Sequence, residues 1–315
     1  MYTSIKKYFQ NLSSPFVPFL LLSVPVLFFL NSCQEPLETE FKGELENLLV
    51  VEGKITTDTT RHYVLLSRTQ TIDKSDILWE TGADVRIEHP GGEFILQEEV
   101  PGHYYTNPDV YGIIGANYTL HITLTSGETY HAETFIANIP EIDSVKFIYE
   151  EFENYEIFSH NLYYHGWELE EPGNAYLWNL YINDSLYNDS IFKTNFVDDE
   201  FVNGNYIGAT PLTDKDGNEY LESTFAVYML EPEEIKRDTN RVLVEMESLP
   251  KPYYEFWTTY MQMTYWTGSP FDANKADILT NLSGDALGYF YGASVRRYSF
   301  VYIRPEGSDK PNSHP

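Results

Sequence analysis

The sequence predicts a mainly β protein: an N-terminal immunoglobulin-like β-sandwich, then a second antiparallel β-rich domain carrying one packed helix. Three observations lead there. Short runs of alternating apolar and polar residues recur about every 8–12 residues, separated by Gly, Pro and Asn-rich turns. Only one segment, between Pro252 and Gly268, has helical spacing. Hydrophobic content of 42% and aromatic content of 16% give 315 residues ample material for buried cores, and exclude a disordered acidic chain.

The first 32 residues read as an address. Lys6 and Lys7 give a short basic start, and Phe16–Leu30 (FVPFLLLSVPVLFFL) is almost wholly apolar. That run falls short of the roughly twenty residues a spanning helix needs, and Pro18 and Pro25 interrupt it. The pattern is that of a secretory signal peptide over residues 1–32. Leu30-Asn31-Ser32-Cys33 then places an apolar residue three before, and a small one just before, the only cysteine in the chain. This resembles a bacterial lipobox, in which the thiol receives a diacylglycerol and the cysteine becomes the new N-terminus. Asn31 is a minor departure from that pattern. The expectation is lipidation at Cys33, with the acyl chains contributing about 0.8 kcal/mol per buried methylene.

Residues 33–46 form an acidic tether (from Gln34, QEPLETEFKGELE). Glu35 and Glu38 resemble the acidic segment of surface-exported lipoproteins in Bacteroidota, and an ordinary solvated linker explains them equally well. The domain expected over residues 47–140 is β throughout. Its strands are Leu48–Ile55, His62–Arg68, Ala83–His89, Glu93–Gln97, His103–Tyr105, Tyr118–Leu124 and Glu128–Phe135. Pro90-Gly91-Gly92 and Ser126-Gly127 supply turns. About seven short strands over some ninety residues suit an immunoglobulin-like sandwich in architecture, without its buried cysteine pair.

Pro140 and Asp143 mark the expected boundary, and residues 141–315 continue as the second domain. Its strands are Ser144–Tyr149, Ala175–Ile182, Thr224–Leu230, Arg241–Met246, Leu287–Tyr291 and Tyr298–Ile303. The acidic stretch from Tyr149 to Glu171 reads either as a long loop or as an irregular strand pair. Near residues 253–266, Glu255, Thr258, Thr259 and Gln262 share one helical face, and the others carry Tyr254, Phe256, Trp257, Tyr260, Met261 and Met263. Prolines at 250 and 252 suit a helix start and Gly268 its end; so apolar a helix should pack across a sheet of the second domain.

Chemistry is sparse. With 20 Lys+Arg against 48 Asp+Glu, the net charge is -28, which excludes nucleic acid as a partner because phosphate neutralisation needs clustered cations. There is no GxSxG, no phosphate-binding glycine loop and no HExxH. His121 and His131 sit on neighbouring predicted strands without a third ligand. Asp214-Lys215-Asp216-Gly217-Asn218 has its glycine too early for an EF-hand loop. Asp198-Asp199-Glu200 is a set of hard ligands that a solvated loop also explains. No metal or cofactor is expected. The aromatic window offers Trp257, Tyr260 and Trp266 as sugar-stacking candidates, set against plain core packing.

Several short segments together resemble one Bacteroidota lipoprotein family, domain of unknown function 4249. They are the lipobox Leu30–Cys33, Leu49–Ile55 (LVVEGKI), Ala83–Ile87 (ADVRI), Gly102–Tyr105 (GHYY), Gly115–Leu120 (GANYTL) and Ile139–Val145 (IPEIDSV). Ser269-Pro270-Phe271 and Asn281–Phe290 (NLSGDALGYF) match its closing segment, although Asp285 or Ala286 stands where the family usually has a second glycine. The resemblance implies an outer-membrane lipoprotein often encoded beside TonB-dependent receptors, and it carries over no catalytic residue.

The resulting expectation is a non-enzymatic, lipid-anchored accessory lipoprotein. It would be held in the outer membrane through acylated Cys33, on the periplasmic face or cell surface, and bind a partner or nutrient with a TonB-dependent receptor. The alternatives are a glycan-binding module using its aromatics, and a hydrolase with an unrecognised carboxylate pair.

Overall fold

The computed structural model describes residues 47–70, 74, 76–152, 157–200, 202–213, 219–223, 226–264 and 279–308. The signal peptide, Cys33, the tether, the Asp214–Asn218 turn and Trp266 lie outside the described residues. As the alternating patterns require, the described chain is mainly β, with one α-helix among the described residues.

The first nine strands are β1 (Leu49–Thr56), β2 (Tyr63–Arg68), β3 (Leu78–Trp79), β4 (Asp84–His89), β5 (Gly92–Ile95), β6 (Gln97–Val100), β7 (His103–Tyr105), β8 (Asn117–Thr123) and β9 (Thr129–Phe135). They form two sheets. In one, β1 pairs with β2, β2 with β7 and β7 with β6, and β3 adds to β2. The other runs β5-β4-β8-β9. Period-2 alternation decides which side of each strand is buried. Leu49, Val51, Ile55, Val64 and Leu66 from the first sheet meet Val85, Ile87, Tyr118, Leu120 and Ile122 from the second in one core, a sandwich-like arrangement.

The later strands are β10 (Ser144–Phe152), β11 (Ile157–Trp167), β12 (Ala175–Ile182), β13 (Ser185–Leu186), β14 (Asn195–Asp198), β15 (Tyr206–Ile207), β16 (Ala209–Thr213), β17 (Glu219–Ser223), β18 (Ala226–Leu230) and β19 (Thr239–Leu249). After them come helix α1 (Lys251–Thr264), β20 (Leu287–Ala293) and β21 (Val295–Ile303). β11 pairs with β10, β15 and β18, while a second sheet runs β13-β12-β19-β21 with β14 also on β12. Their facing residues, among them Leu162, Trp178, Leu180, Val227, Leu230 and Val244, make a second core. The acidic stretch after Tyr149 resolves as a strand pair, in register from Ser144↔His165 to Phe152↔Ile157.

The two cores lie on either side of Pro140, but the chain returns to the first one late. β20 pairs with β1 in parallel, from Val50↔Leu287 to Thr56↔Ala293, and Leu282, Ala286 and Phe290 join the first core. Asn281 fastens this return. Its Nδ2 donates to the carbonyls of Glu133 (2.9 Å) and Phe290 (2.7 Å), and its Oδ1 accepts from Phe290 N–H at 3.1 Å. The helix sits at the junction: Tyr253 stacks on Tyr291 of β20 at 3.9 Å between centroids, within a cluster that includes Ala175, Leu177 and Leu249 of the second sheet. On the polar face of the helix, Thr258 and Thr259 bond back to the carbonyls of Tyr254 and Glu255.

The parallel pair requires a glycine at 288. Its φ is +93°, and an added Cβ would lie 2.0 Å from the carbonyl oxygen of Val51. Gly307 also has positive φ, at +78°, but its Cβ would meet nothing within 4 Å. Both alanine variants therefore share the backbone strain, and only Gly288→Ala adds a clash. Denaturant melts should show Gly288→Ala less stable than Gly307→Ala by about 1–3 kcal/mol, or failing to fold. Equal losses would contradict this packing.

Candidate functional site

On the β12-β19-β21 sheet, one face carries Leu177, Asn179 and Tyr181, then Arg241, Leu243, Glu245 and Glu247, then Arg297, Ser299 and Val301. These residues are cross-strand neighbours, Asn179↔Glu245 and Glu245↔Arg297 directly opposite. Read alone, such a strand face looks solvent-exposed. One end of it is instead covered by the outer side of the first sheet, which brings Lys54, flanked in register by Tyr63 and Tyr291. The seam is therefore both buried and charged.

Glu247 is 0% exposed, and Lys54 Nζ donates to its Oε1 at 2.5 Å. Asn179 Nδ2 donates to Oε1 of both Glu245 and Glu247, at 3.2 Å each, and Tyr291 Oη reaches Glu247 Oε2 at 3.4 Å. Arg297 continues the row, with Nε on Glu245 Oε2 at 2.7 Å and a two-pronged contact to Asp58 at 2.9 and 2.6 Å. Burial pushes the Glu247 carboxyl above the usual carboxylate range, with Lys54 opposing it. Asp58 moves the other way, held low by its Arg297 hydrogen bond. Burial also raises the phenols of Tyr63 and Tyr291, so both remain donors. Beside these groups a cavity of about 150 Å³ opens, lined among others by Lys54, Asp58, Arg61, His62, Tyr63 and Arg297.

His62 shows its tautomer in its partners. Nδ1 accepts from Thr56 N–H at 3.3 Å, which leaves Nε2–H to donate to the Val110 carbonyl at 3.2 Å. A second ring proton would point at a donor, and burial depresses the pKa further.

The aromatic candidates divide. Trp257 is half-buried, its ring 5.9 Å from both Phe196 and Tyr260 and 6.3 Å from Tyr253. Tyr260 is 39% exposed and lies parallel to Phe256 at 6.1 Å. Trp266 and Cys33 are outside the described residues. His121 and His131 are register partners, and among the described residues the acid that His121 contacts is Glu88, at 3.1 Å. Among the described residues no group of three or more His, Cys, Asp or Glu is placed to hold a metal ion. Asp199 is only 3% exposed and serves its own loop, accepting from Gly173 N–H at 3.0 and 3.1 Å and from Asn174 at 3.2 Å.

Sequence reasoning missed the Lys54, Asn179, Glu245, Glu247 and Arg297 row. The available signal was opposite charges at alternate positions of otherwise apolar strands, LVVEGKIT against RVLVEMESL.

A family profile described as a domain of unknown function (DUF4249) matches residues 34–299. No curated protein matches the chain. No helix among the described residues is long and apolar enough to cross a membrane.

The His62 geometry fixes a pH dependence. The native ring is held neutral while the unfolded ring titrates near 6.5, so the unfolded chain binds the extra proton. Its contribution to stability is present above pH 6.5 and lost as pH falls toward the native pKa, at up to about 1.4 kcal/mol per pH unit. His62→Gln should remove that part of the slope in denaturant melts between pH 7 and about 5; an unchanged slope would contradict the assignment.

Proposed function

The chain belongs to the DUF4249 family, and from that premise we propose a lipid-anchored accessory lipoprotein of the outer membrane that binds a partner rather than turning over a substrate. The observation that carries the reading is Cys33, the sole cysteine, seated directly behind a basic-then-apolar leader. Acylation of its thiol consumes the one soft nucleophile in the chain and leaves a folded acidic domain on a short tether.

Two structural features support binding over catalysis. The charged groups of the seam are paired with one another, and the cavity beside them, about 150 Å³, is below the roughly 300–1,000 Å³ of pockets that enclose small-molecule ligands. The uncovered end of the same sheet face presents apolar surface instead. Val301 and Ile303 on β21 are 61% and 72% exposed, next to a groove that Tyr181, Leu243 and Phe300 help to line. Such a patch suits a protein partner, and a TonB-dependent receptor in the same membrane is the partner proposed.

Fractionation of the native host tests the anchor. Wild-type protein should sediment with outer membranes and incorporate labelled palmitate, and Cys33→Ala should do neither. Unlabelled wild type, or a leader still attached by mass, would overturn the localisation. Affinity capture from solubilised membranes should recover a TonB-dependent receptor with wild type and lose it with Val301→Asp.

A further inference from the structure

We propose that the seam is a self-modification site, in which the Lys54 amine condenses with the side-chain amide of Asn179 to form an isopeptide bond between β1 and β12, releasing ammonia with Glu247 as proton carrier. The inference is independent of lipidation at Cys33.

Amide exchange of this kind needs an amine, a carboxamide, a group to move protons between them, and a donor on the carbonyl oxygen. All four are in place. Lys54 Nζ and Asn179 Nδ2 donate to the same atom, Glu247 Oε1, at 2.5 and 3.2 Å. One carboxylate oxygen therefore holds both the incoming and the departing nitrogen. On the far side of the amide, Asn188 Nδ2 donates to Asn179 Oδ1 at 3.0 Å. Asn188 is buried and fixed by its own bonds, accepting from Leu180 N–H at 3.0 Å and donating to the Trp178 carbonyl at 3.3 Å. A donor preset on that oxygen stabilises the negative charge that develops there when a nucleophile adds to the carbon.

The steps balance without any co-reactant. The Lys54 ammonium gives a proton to the Glu247 carboxylate, and the neutral amine adds to Asn179 Cγ. A C–N bond forms while Oδ1 takes the charge, held by Asn188. Glu247 then protonates Nδ2, the Cγ–Nδ2 bond breaks, and the carboxylate takes the remaining extra proton from the new amide nitrogen. Ammonia departs with that proton as ammonium, so one positive charge enters as lysine and one leaves.

The surroundings favour the protonated acid. Glu247 has no exposed surface, and its carboxyl is pushed up by burial. Lys54 lies between Tyr63 and Tyr291, with Nζ 5.7 Å from the Tyr291 ring centroid, and only a fifth of its side chain is exposed. To react, the amine moves from the shared oxygen toward the carbon of the amide that this oxygen already orients, a rotation of its terminal torsions.

Peptide mass spectrometry of the full-length chain, unfolded and digested after Lys and Arg, tests this. The expected product is a branched pair joined through Lys54 and Asn179, one ammonia lighter than the two peptides together, with no cleavage after Lys54. Lys54→Arg and Asn179→Ala should abolish it, and Glu247→Gln should lower its yield at least tenfold. The wild-type result decides without the variants, whether or not they fold. Recovery of the Lys54 and Asn179 peptides separately from folded wild type overturns the proposal. A joined pair one water lighter, which puts the bond on a carboxylate, overturns it too, and an undiminished yield from Glu247→Gln overturns the proton-carrier role.

Discussion

A partly buried ammonium set against a fully buried carboxylate ties the two sheets together: Lys54 of the first sheet against Glu247 of the second. Taking both charges out of water costs several kcal/mol for each ion, and only their mutual contact and further hydrogen bonds offset it. Everything that dries the seam is thus a condition of the pair. Tyr291 arrives on β20, which must first pair with β1 from the opposite end of the described chain. Tyr253 comes from the helix and covers Tyr291. Glu247 itself lies on β19, between β12 and β21. These contacts are far apart in the chain, so loop closure must precede them, and a slow, late-completing fold follows.

The same economy governs the other buried acids. In a chain of net charge -28 most carboxylates among the described residues stay in water, and the buried ones there are each tied to something specific. Glu168 accepts from the Tyr176 hydroxyl and from Leu169 N–H. Burial raises its pKa, with Asp199 adding to the effect and the two hydrogen bonds opposing it. Asp199 closes the Gly173 turn. Glu245 is shared by Arg297 and Asn179. Each of these three carboxylates is held by a hydrogen-bond partner, as a buried acid requires.

Period-2 patterning makes most of the described strands legible in the sequence. The expected bounds of Ala175–Ile182 and His103–Tyr105 are those observed, and seven of the eight residues in Leu49–Thr56 fall within the expected strand. β11 stayed ambiguous for a physical reason: IFSHNLYYHGW buries Ser159, His160, Asn161 and His165, so polarity there does not report exposure. His160 is accommodated by the Tyr302 hydroxyl at 2.9 Å, a partner far away in sequence. The parallel β1–β20 pair leaves no local trace in the sequence, because pairing partners are chosen by tertiary packing. The seam was hidden by the same logic that revealed the strands. Alternation states that the two faces of β19 differ, but not which of them is wet.

That ambiguity also explains why a charged seam serves this fold. Two apolar faces could slide past one another by a residue or rotate with little loss, since dispersion is non-directional. The row here tolerates no such slip. Asn179, Glu245 and Arg297 are fixed opposite one another by strand register, and Asp58 and Lys54 come from the other sheet to meet Arg297 and Glu247. Shifting one sheet along the other would strand Glu247 without a cation, at a cost of about 3–5 kcal/mol for a buried pair broken on one side. The charges thus act as a register mark between two sheets that neither core specifies alone. They also hold an amine, an amide and a carboxylate in one dry place, which is where the chemistry proposed for Lys54 and Asn179 has its origin.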